Sequence, residues 1–485
     1  MKDGVLDVGN EKQLFLDGAL IDSEKDVSLR THKPVRDGRV LIEPDRPWED
    51  RIGSYSCVLK EDGKIRIWYD CRQGDEIRLA YAESEDGIHF TKPEIGLHEV
   101  EGSKANNIVL PGPRIAGGAV WRDPNAQPEH RYKTQTKVYP SGELHMHSSP
   151  DGIHWKHYAT PDIGDKDTQS VIFWDPHHSC YLLYTRKWVQ MEERSEEISR
   201  QWHNAYRYRT VRRLESQDLR CWENERIVME PDEIDRAVHD MPTPRPPVDF
   251  YGAGVFPYEG ADRTYLMFLQ TFWHWVKWDK EGLGPSSIDV QLAASRDGKK
   301  FHRLGNRRPF MELGPEGRFD SRFVWAMPRP VRMGDELWIY YVGLNREHGP
   351  SGDLDPVAGR QLSGIGRAVL RLDGFVSVSG DYGGGWFTTP PLRFEGNRLE
   401  INADAGGGGS LEVELLDMKG DPIRGFTREE SIPVTYNSVR LPVQWDGQPD
   451  LGSLAGSAVR IRFFVTNADL YAFQFRDSTA PGDVG

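Results

Sequence analysis

Acidic residues recur at one kind of place in this chain, just before short runs of strand-forming residues. Glu49 and Asp50 precede the run from Ser54, Asp167 precedes Ser170, Asp249 precedes Gly252 and Asp320 precedes Phe323. Carboxylates crowded into one pocket cannot all ionise independently. Their pKa values separate, leaving one proton donor and one base or nucleophile. Cleavage of a glycosidic bond uses such a pair. Asp167, Asp249 and Asp320 are therefore candidates for the base or nucleophile and for tuning it, and Glu49 for the proton donor. Each acid also has a structural reading, as a strand cap or as the partner of Arg51, Arg318 or Arg322.

A repeat is what would bring such separated acids together. Ser84-Glu85-Asp86-Gly87-Ile88-His89-Phe90 is followed by Ser149-Pro150-Asp151-Gly152-Ile153-His154-Trp155. Ser216 to Trp222 and Ser295 to Phe301 keep the Ser, Asp and aromatic positions, and Leu372-Asp373-Gly374-Phe375 is a weaker fifth copy. In each, an alternating strand runs in, Asp-Gly or its equivalent turns the chain, and the aromatic begins the next strand. The repeat aspartates read as structural. Each unit holds four strand-like runs, so the repeat predicts an all-β fold, a five-bladed β-propeller over residues 1–385 that carries the catalytic site. After Gly385 the repeat stops, and Leu399–Ala403, Ser410–Leu416, Ser438–Val443 and Ala458–Thr466 predict a C-terminal β-sandwich over residues 386–485. The early run Gln13-Leu14-Phe15-Leu16 is expected to complete the last propeller sheet. One helix is expected near Met191–Trp202.

Strands of a blade alternate in direction, so the first–second and third–fourth turns share one face and the remaining connections share the other. The long connections all fall on the second face, where binding and catalysis concentrate. The acids enter from that face, at the mouth of the axial channel. Asp50, Gln169 and Tyr251 beside them are candidate substrate-binding residues. Trp273 and His274, with Trp275, Trp278, Trp188 and Trp202, supply aromatic surface that stacks on sugar rings or packs beneath long loops. Asp289, Gln291, Arg322 and His348 complete the substrate-binding set.

The net charge of −14 argues against a nucleic-acid or anionic-membrane partner. No apolar run has the length of a membrane span. The first ten residues lack the apolar core of a signal peptide, and the four cysteines have no metal-ligand spacing; free thiols and a reducing compartment such as the cytoplasm are expected, unless a leader precedes this sequence. No cofactor or metal is expected.

Several stretches resemble the five-bladed propeller glycoside hydrolases of families 32 and 43, and still more closely an uncharacterised bacterial group similar to the family 32 N-terminal domain. They are Gln13–Asp17, Ile288–Ala293, Ser295–Gly298, Leu337–Tyr341, Leu372–Val376, Pro391–Phe394 and Asn467–Tyr471. The resemblance implies a propeller, a β-sandwich and a carbohydrate substrate. The Asn-Asp-Pro-Asn nucleophile motif and the Glu-Cys motif of family 32 are absent. Arg122-Asp123-Pro124 matches the letters of its Arg-Asp-Pro motif, but the repeat aligns Asp123-Pro124 with Asp175-Pro176, in a turn on the opposite face. Sucrose or fructan is therefore not implied. The leading reading is a glycoside hydrolase with paired carboxylates in the axial pocket. The alternatives are a glycoside phosphorylase, with Arg322, Arg329, Arg367 and His348 as the cations for phosphate, and a non-catalytic glycan-binding propeller.

Overall fold

The computed structural model describes residues 4–112, 115–139, 141–164, 168–192, 195–201, 204–241, 243–275, 286–348 and 354–477. Asp167, Trp202 and Trp278 lie outside them. Among the described residues the chain is nearly all β, with two short α-helices, Glu196–Gln201 and Glu233–Arg236.

Five strand groups follow one another. The first contains Cys57–Glu61, Lys64–Gln73, Glu76–Ser84 and Ile108–Leu110. The second contains Trp121–Arg122, Tyr132–Val138, Leu144–Ser149 and Lys156–Ala159. The third is Val171–Asp175, Cys180–Gln190, Arg207–Ser216 and Glu223–Met229. The fourth is Val248–Pro257, Tyr265–Trp273, Ile288–Ser295 and His302–Arg303. The fifth is Phe323–Ala326, Glu336–Leu344 and Ser363–Arg371, with Val35–Arg36 on its outer edge.

Polar contacts link each group to the next. Val120 N–H donates to Cys57 Sγ (3.0 Å) and Gln169 Nε2 to Gly118 O (3.4 Å). Thr168 Oγ1 donates to Tyr251 O (2.9 Å) and Gln270 Nε2 to Ala326 O (3.0 Å). Between the fifth group and the first, the Tyr55 and Trp325 rings lie 5.3 Å apart. Gln169 spans the middle, because Nε2 also donates to Ser56 O (2.9 Å) and Oε1 accepts from Trp325 Nε1 (3.0 Å).

The repeat is a hydrogen-bonded turn. Ser84 Oγ donates to Asp86 Oδ1 (2.9 Å) and accepts from Gly87 N–H (2.8 Å), while Asp86 Oδ1 accepts from the N–H groups of Ile88 and His89 (both 2.8 Å). The turns at Asp151, Asp218 and Asp297 bond in the same way. Turn carbonyls accept from aromatics of the preceding group: Gly152 O from Trp68 Nε1 (2.7 Å), Gly298 O from Tyr184 OH (2.7 Å) and, across the ends of the series, Gly87 O from Tyr340 OH (2.8 Å). Gly152 combines φ +78° with Trp68 only 2.7 Å from where a Cβ would stand, so a side chain there meets both backbone strain and a collision.

Two further sheets pack over one apolar core that includes Phe15, Phe387, Phe463, Leu470 and Phe473. One contains Leu6–Gly9, Ser23–Lys25, Gly385–Thr388, Leu392–Phe394, Ser410–Leu416 and Ala458–Thr466. The other contains Gln13–Leu14, Val27–Thr31, Val376–Gly380, Arg398–Asp404, Asn437–Pro442 and Ala468–Arg476. The expected boundary at 385/386 thus falls at the start of a strand whose sheet also holds residues from the N-terminus.

Two expectations need correction. Gln13–Leu14 does not complete the fifth group; it pairs with Phe473 and Ala472, because Phe15 beside it inserts into the C-terminal core. Phe90 does not begin the outer strand of the first group. Thr91 makes one bridge to Glu83, and Ile108–Leu110 takes the edge. All four cysteines are free thiols, and Cys57 stands opposite Trp68 as its register dictates.

Candidate active site

An aromatic floor lies where the first strands meet. Trp325 is buried, with Tyr55 on one side (5.3 Å between centroids) and Tyr251 on the other (5.8 Å). His348 stands against Tyr251, its Nε2 3.1 Å from the Tyr251 hydroxyl. Gln169 and Thr168 hold this floor from the third group, through Trp325 Nε1 and Tyr251 O.

Two buried carboxylates are tied to this cluster, Asp249 through Arg209, which lies over Tyr251, and Asp70 through the Tyr55 backbone N–H. Asp249 is two residues before Tyr251 and fully buried. It accepts from the Arg209 backbone N–H (3.1 Å), from Arg209 Nη1 (3.1 and 3.3 Å) and from Arg245 Nη2 (3.4 Å). Burial opposes its ionisation, but Arg209, then His274 and Arg245, outweigh burial and hold Asp249 well below the usual carboxylate range. His274 Nε2 lies 3.2 Å from Asp249 Oδ1 and 2.5 Å from Arg245 Nη2. Nε2 thus stands between a group that can only donate, Arg245, and one that accepts, the ionised Asp249, and the tautomer decides which of the two it bonds. Burial and then Arg245 push the His274 pKa down to about 4, which keeps the ring neutral near pH 7.

The second carboxylate is Asp70, in the strand Lys64–Gln73. It is 2 % exposed, and its backbone O accepts from Gly53 N–H (2.8 Å). The Tyr55 backbone N–H and Arg72 Nη2 (3.3 Å to Oδ2) donate to its carboxylate. Burial outweighs both and pushes its pKa up to about 6. A Cβ on Gly53 would stand 2.7 Å from Asp70 Cβ, so glycine there makes room for the acid. Sequence reasoning passed over Asp70 as one more residue of an alternating strand. The signal was a lone acid inside Ile67-Trp68-Tyr69-Asp70-Cys71.

The other sequence-predicted acids have partners of their own. Glu49 is buried, accepting from Tyr69 OH (2.6 Å), Lys92 Nζ (2.5 Å) and Asp45 N–H (3.2 Å). Asp320 accepts from Arg36 Nη1 (2.8 Å) and Tyr341 OH (2.9 Å), which point it at the outer part of the fifth group. Asp50 accepts from Gly74 N–H (2.6 Å). Among the described residues, no hydrogen bond or shared partner joins Glu49, Asp249 and Asp320.

Trp273 Nε1 donates to Asp289 Oδ2 (2.9 Å), while Asp289 Oδ1 is buried without a partner among the described residues. Burial pushes the Asp289 pKa up to about 7. Trp275 stacks on Trp273 (6.3 Å, 20°) and on His239 (4.6 Å, 9°), and is 39 % exposed. Gln291 Oε1 accepts from Arg303 Nη1 at 3.4 Å. The cations expected to bind phosphate are dispersed. Arg322 pairs with Glu316, Arg367 stacks on Trp338 and pairs with Asp37, and Arg329 lines a small space with Cys57 and Val120. A different basic group stands at the floor: Arg209 lies 4.6 Å from the Tyr251 ring and 4.4 Å from Trp188, with Arg207 4.3 Å from the same indole.

Asp123 and Asp175 occupy equivalent turns, as the repeat aligned them. Each accepts from a tyrosine of the following group, Tyr181 and Tyr265 respectively. Asp123 is buried, 3.3 Å from the buried Lys133 Nζ. Among the described residues no group of His, Cys, Asp and Glu is arranged to hold a metal ion, and no helix is long and apolar enough to cross a membrane.

No family model matches the chain, and no curated protein matches it. Among solved structures it is similar to an N-acetylgalactosamine deacetylase from F. plautii in complex with blood group B trisaccharide. That match has 15% identity, a TM-score of 0.44, and covers 72% of this chain and 96% of that one. It is similar to a beta-1,2-mannobiose phosphorylase from Listeria innocua, at 13% identity and TM-score 0.44, over 72% of this chain and 98% of that one. It is also similar to the catalytic domain of a Coprinopsis cinerea GH62 alpha-L-arabinofuranosidase, at 12% identity and TM-score 0.41, over 70% and 97% of the respective chains.

Proposed function

We propose that this chain is a glycoside hydrolase. Its five strand groups form a five-bladed propeller, its last two sheets form a β-sandwich, and the glycan binds at the axial mouth. The reading keeps the resemblance to families 32 and 43 at the level of architecture and leaves their substrates aside. The observation that carries it is the pair Asp70 and Asp249. One is held protonated up to about pH 6 and the other is held ionised, and each is tied to the Tyr55–Trp325–Tyr251 cluster, Asp70 through the Tyr55 N–H and Asp249 through Arg209 over Tyr251. Two carboxyl groups whose surroundings separate their pKa values provide the donor and the base or nucleophile that glycoside cleavage needs. Asp70 takes the donor role assigned from sequence to Glu49, whose carboxylate already accepts from Tyr69, Lys92 and the Asp45 N–H. Asp249 keeps its assigned role as base or nucleophile. Asp167 remains a candidate for tuning the pair, and Asp320 supports the fifth blade through Arg36 and Tyr341. The exposed Trp275, stacked over Trp273 and His239, offers a face for a sugar ring.

The experiment is a screen of plant, algal and microbial polysaccharides and oligosaccharides for released sugar, with and without inorganic phosphate. Asp70→Asn and Asp249→Asn should each lower turnover by ~10²-fold or more, the usual scale of acid–base assistance, with the fold retained. Turnover that requires phosphate would replace hydrolysis by phosphorolysis. Binding without turnover across the panel would leave a glycan-binding propeller.

A further inference from the structure

The charges beside the aromatic floor do not balance. Arg209 and Arg245 are both buried, and both lean on the one carboxylate of Asp249. Among the described residues the remaining group in contact with both Asp249 and Arg245 is His274, which is neutral near pH 7. Among these residues two guanidinium groups against one carboxylate leave one positive charge. Nε of Arg209 and Nε of Arg245 are also buried with no hydrogen-bond partner among the described residues. Nε of Arg72, Arg213, Arg367 and Arg398 is buried in the same way, so what sets Arg209 and Arg245 apart is that they share a single carboxylate, and the uncompensated charge is what an acceptor arriving from outside would meet. The surroundings suit a sugar as its carrier. Arg209 lies over the Tyr251, Trp188 and Phe272 rings at 4.6, 4.4 and 4.9 Å, so an anion meeting this guanidinium would sit beside aromatic faces able to hold a pyranose.

We infer that the glycan bound at the axial mouth is acidic, and that Arg209 and Arg245 recognise a singly charged oxyanion on it, the carboxylate of a uronic acid or a sulfate ester. This inference rests on the axial mouth being the glycan site. A single charge fits better than the dianion of phosphate, because the ionised Asp249 stays in contact with both arginines and repels a second negative charge. Guanidinium forks meet planar and tetrahedral oxyanions through paired N–H groups, which a lysine ammonium cannot reproduce.

The test measures binding by calorimetry to full-length protein carrying Asp70→Asn, which slows turnover and leaves Arg209 and Arg245 in place. The probes are oligogalacturonides, glucuronoxylan oligosaccharides and sulfated galactan oligosaccharides, each beside its carboxyl-reduced or desulfated form, and inorganic phosphate alone. The expected result is binding of at least one acidic series, weakened at least tenfold by removal of its anion and by adding Arg209→Lys, with the thermal transition of that variant kept as the folding control. Loss on carboxyl reduction identifies the uronate, and loss on desulfation identifies the sulfate. Arg245→Lys is the second variant if Arg209→Lys does not fold, with the same tenfold loss expected. Equal binding of acidic and neutral forms, binding of phosphate alone, or binding of neutral glycans only would each overturn the inference. Hydrolysis of a neutral glycan, with no acidic series bound, would overturn it while leaving the glycosidase reading intact.

Discussion

Replacing Asp70 by Asn gives the most direct measure of how its surroundings treat a carboxylate. The group is 2 % exposed, and its pKa rises from an ordinary value of 3.8 to about 6 because burial outweighs Arg72 and Tyr55. Between pH 4 and pH 6 the unfolded chain has lost this proton while the folded chain keeps it. Stability therefore falls as pH rises through that window, and the sign is opposite to that of a salt-bridged aspartate. A shift of roughly two units corresponds to about 3 kcal/mol, fully developed above pH ~6. Asn carries no such proton. Urea unfolding of the wild type and of Asp70→Asn at pH 4 and pH 7.5 should show the variant gaining about 2.5 kcal/mol relative to wild type between the two, the rest having developed below pH 4. Other titrating groups, Asp289 among them, cancel in the difference. A gap that stays constant within ~0.5 kcal/mol, or moves the other way, would mean that Asp70 is solvated or fully paired, and the donor assignment would fall with it. If the assignment holds, wild-type kcat/KM should decline above pH ~6 as the donor ionises.

Asp123→Asn should leave any glycan turnover within about threefold. It should still destabilise the fold by about 3 kcal/mol in thermal or chemical unfolding, because it strands the buried Lys133, which is 2 % exposed. Gly152→Ala should cost about 2 kcal/mol or more of stability, because it meets positive φ and Trp68 at once; little change would mean that the turn is not clamped. Truncation after Gly385 should yield insoluble protein, since it removes the sheet partners of Leu6–Gly9 and Gln13–Leu14 and uncovers Phe15. A soluble truncated protein that lost only polymer affinity would make the C-terminal sheets a binding module.

The repeat was legible because its chemistry is local. Ser, Asp and the glycine or its substitute bond within five residues, so the same letters make the same turn wherever they fall. The hairpin registers followed from their turns for the same reason, as with Cys57 opposite Trp68. The ionisation of the acids was not legible, because their partners come from far along the chain. Arg36 reaches Asp320 across 284 residues, Lys92 reaches Glu49 across 43, and Arg209 reaches Asp249 across 40. Nothing in the letters around an aspartate says which cation will arrive. Asp70 was missed for the converse reason: its nearest charged partner, Arg72, is two residues away, and burial decides its behaviour. The strands at the fifth group were misassigned because Gln13–Leu14 and Val35–Arg36 are both short, and only tertiary pairing tells them apart.

That last pairing has a consequence for how the molecule is made. Val35–Arg36 is synthesised more than three hundred residues before its partners, Ala368 and Val369. Gln13–Leu14 waits longer still, for Ala472 and Phe473. This segment is thus made long before its partners and is late to find its place. Until then its apolar side chains, Phe15 foremost, are available to other chains. Contacts of this separation slow folding and prolong such exposure. Refolding from denaturant should accordingly show a late phase, reported by burial of Phe15 and abolished when residues 4–36 are removed.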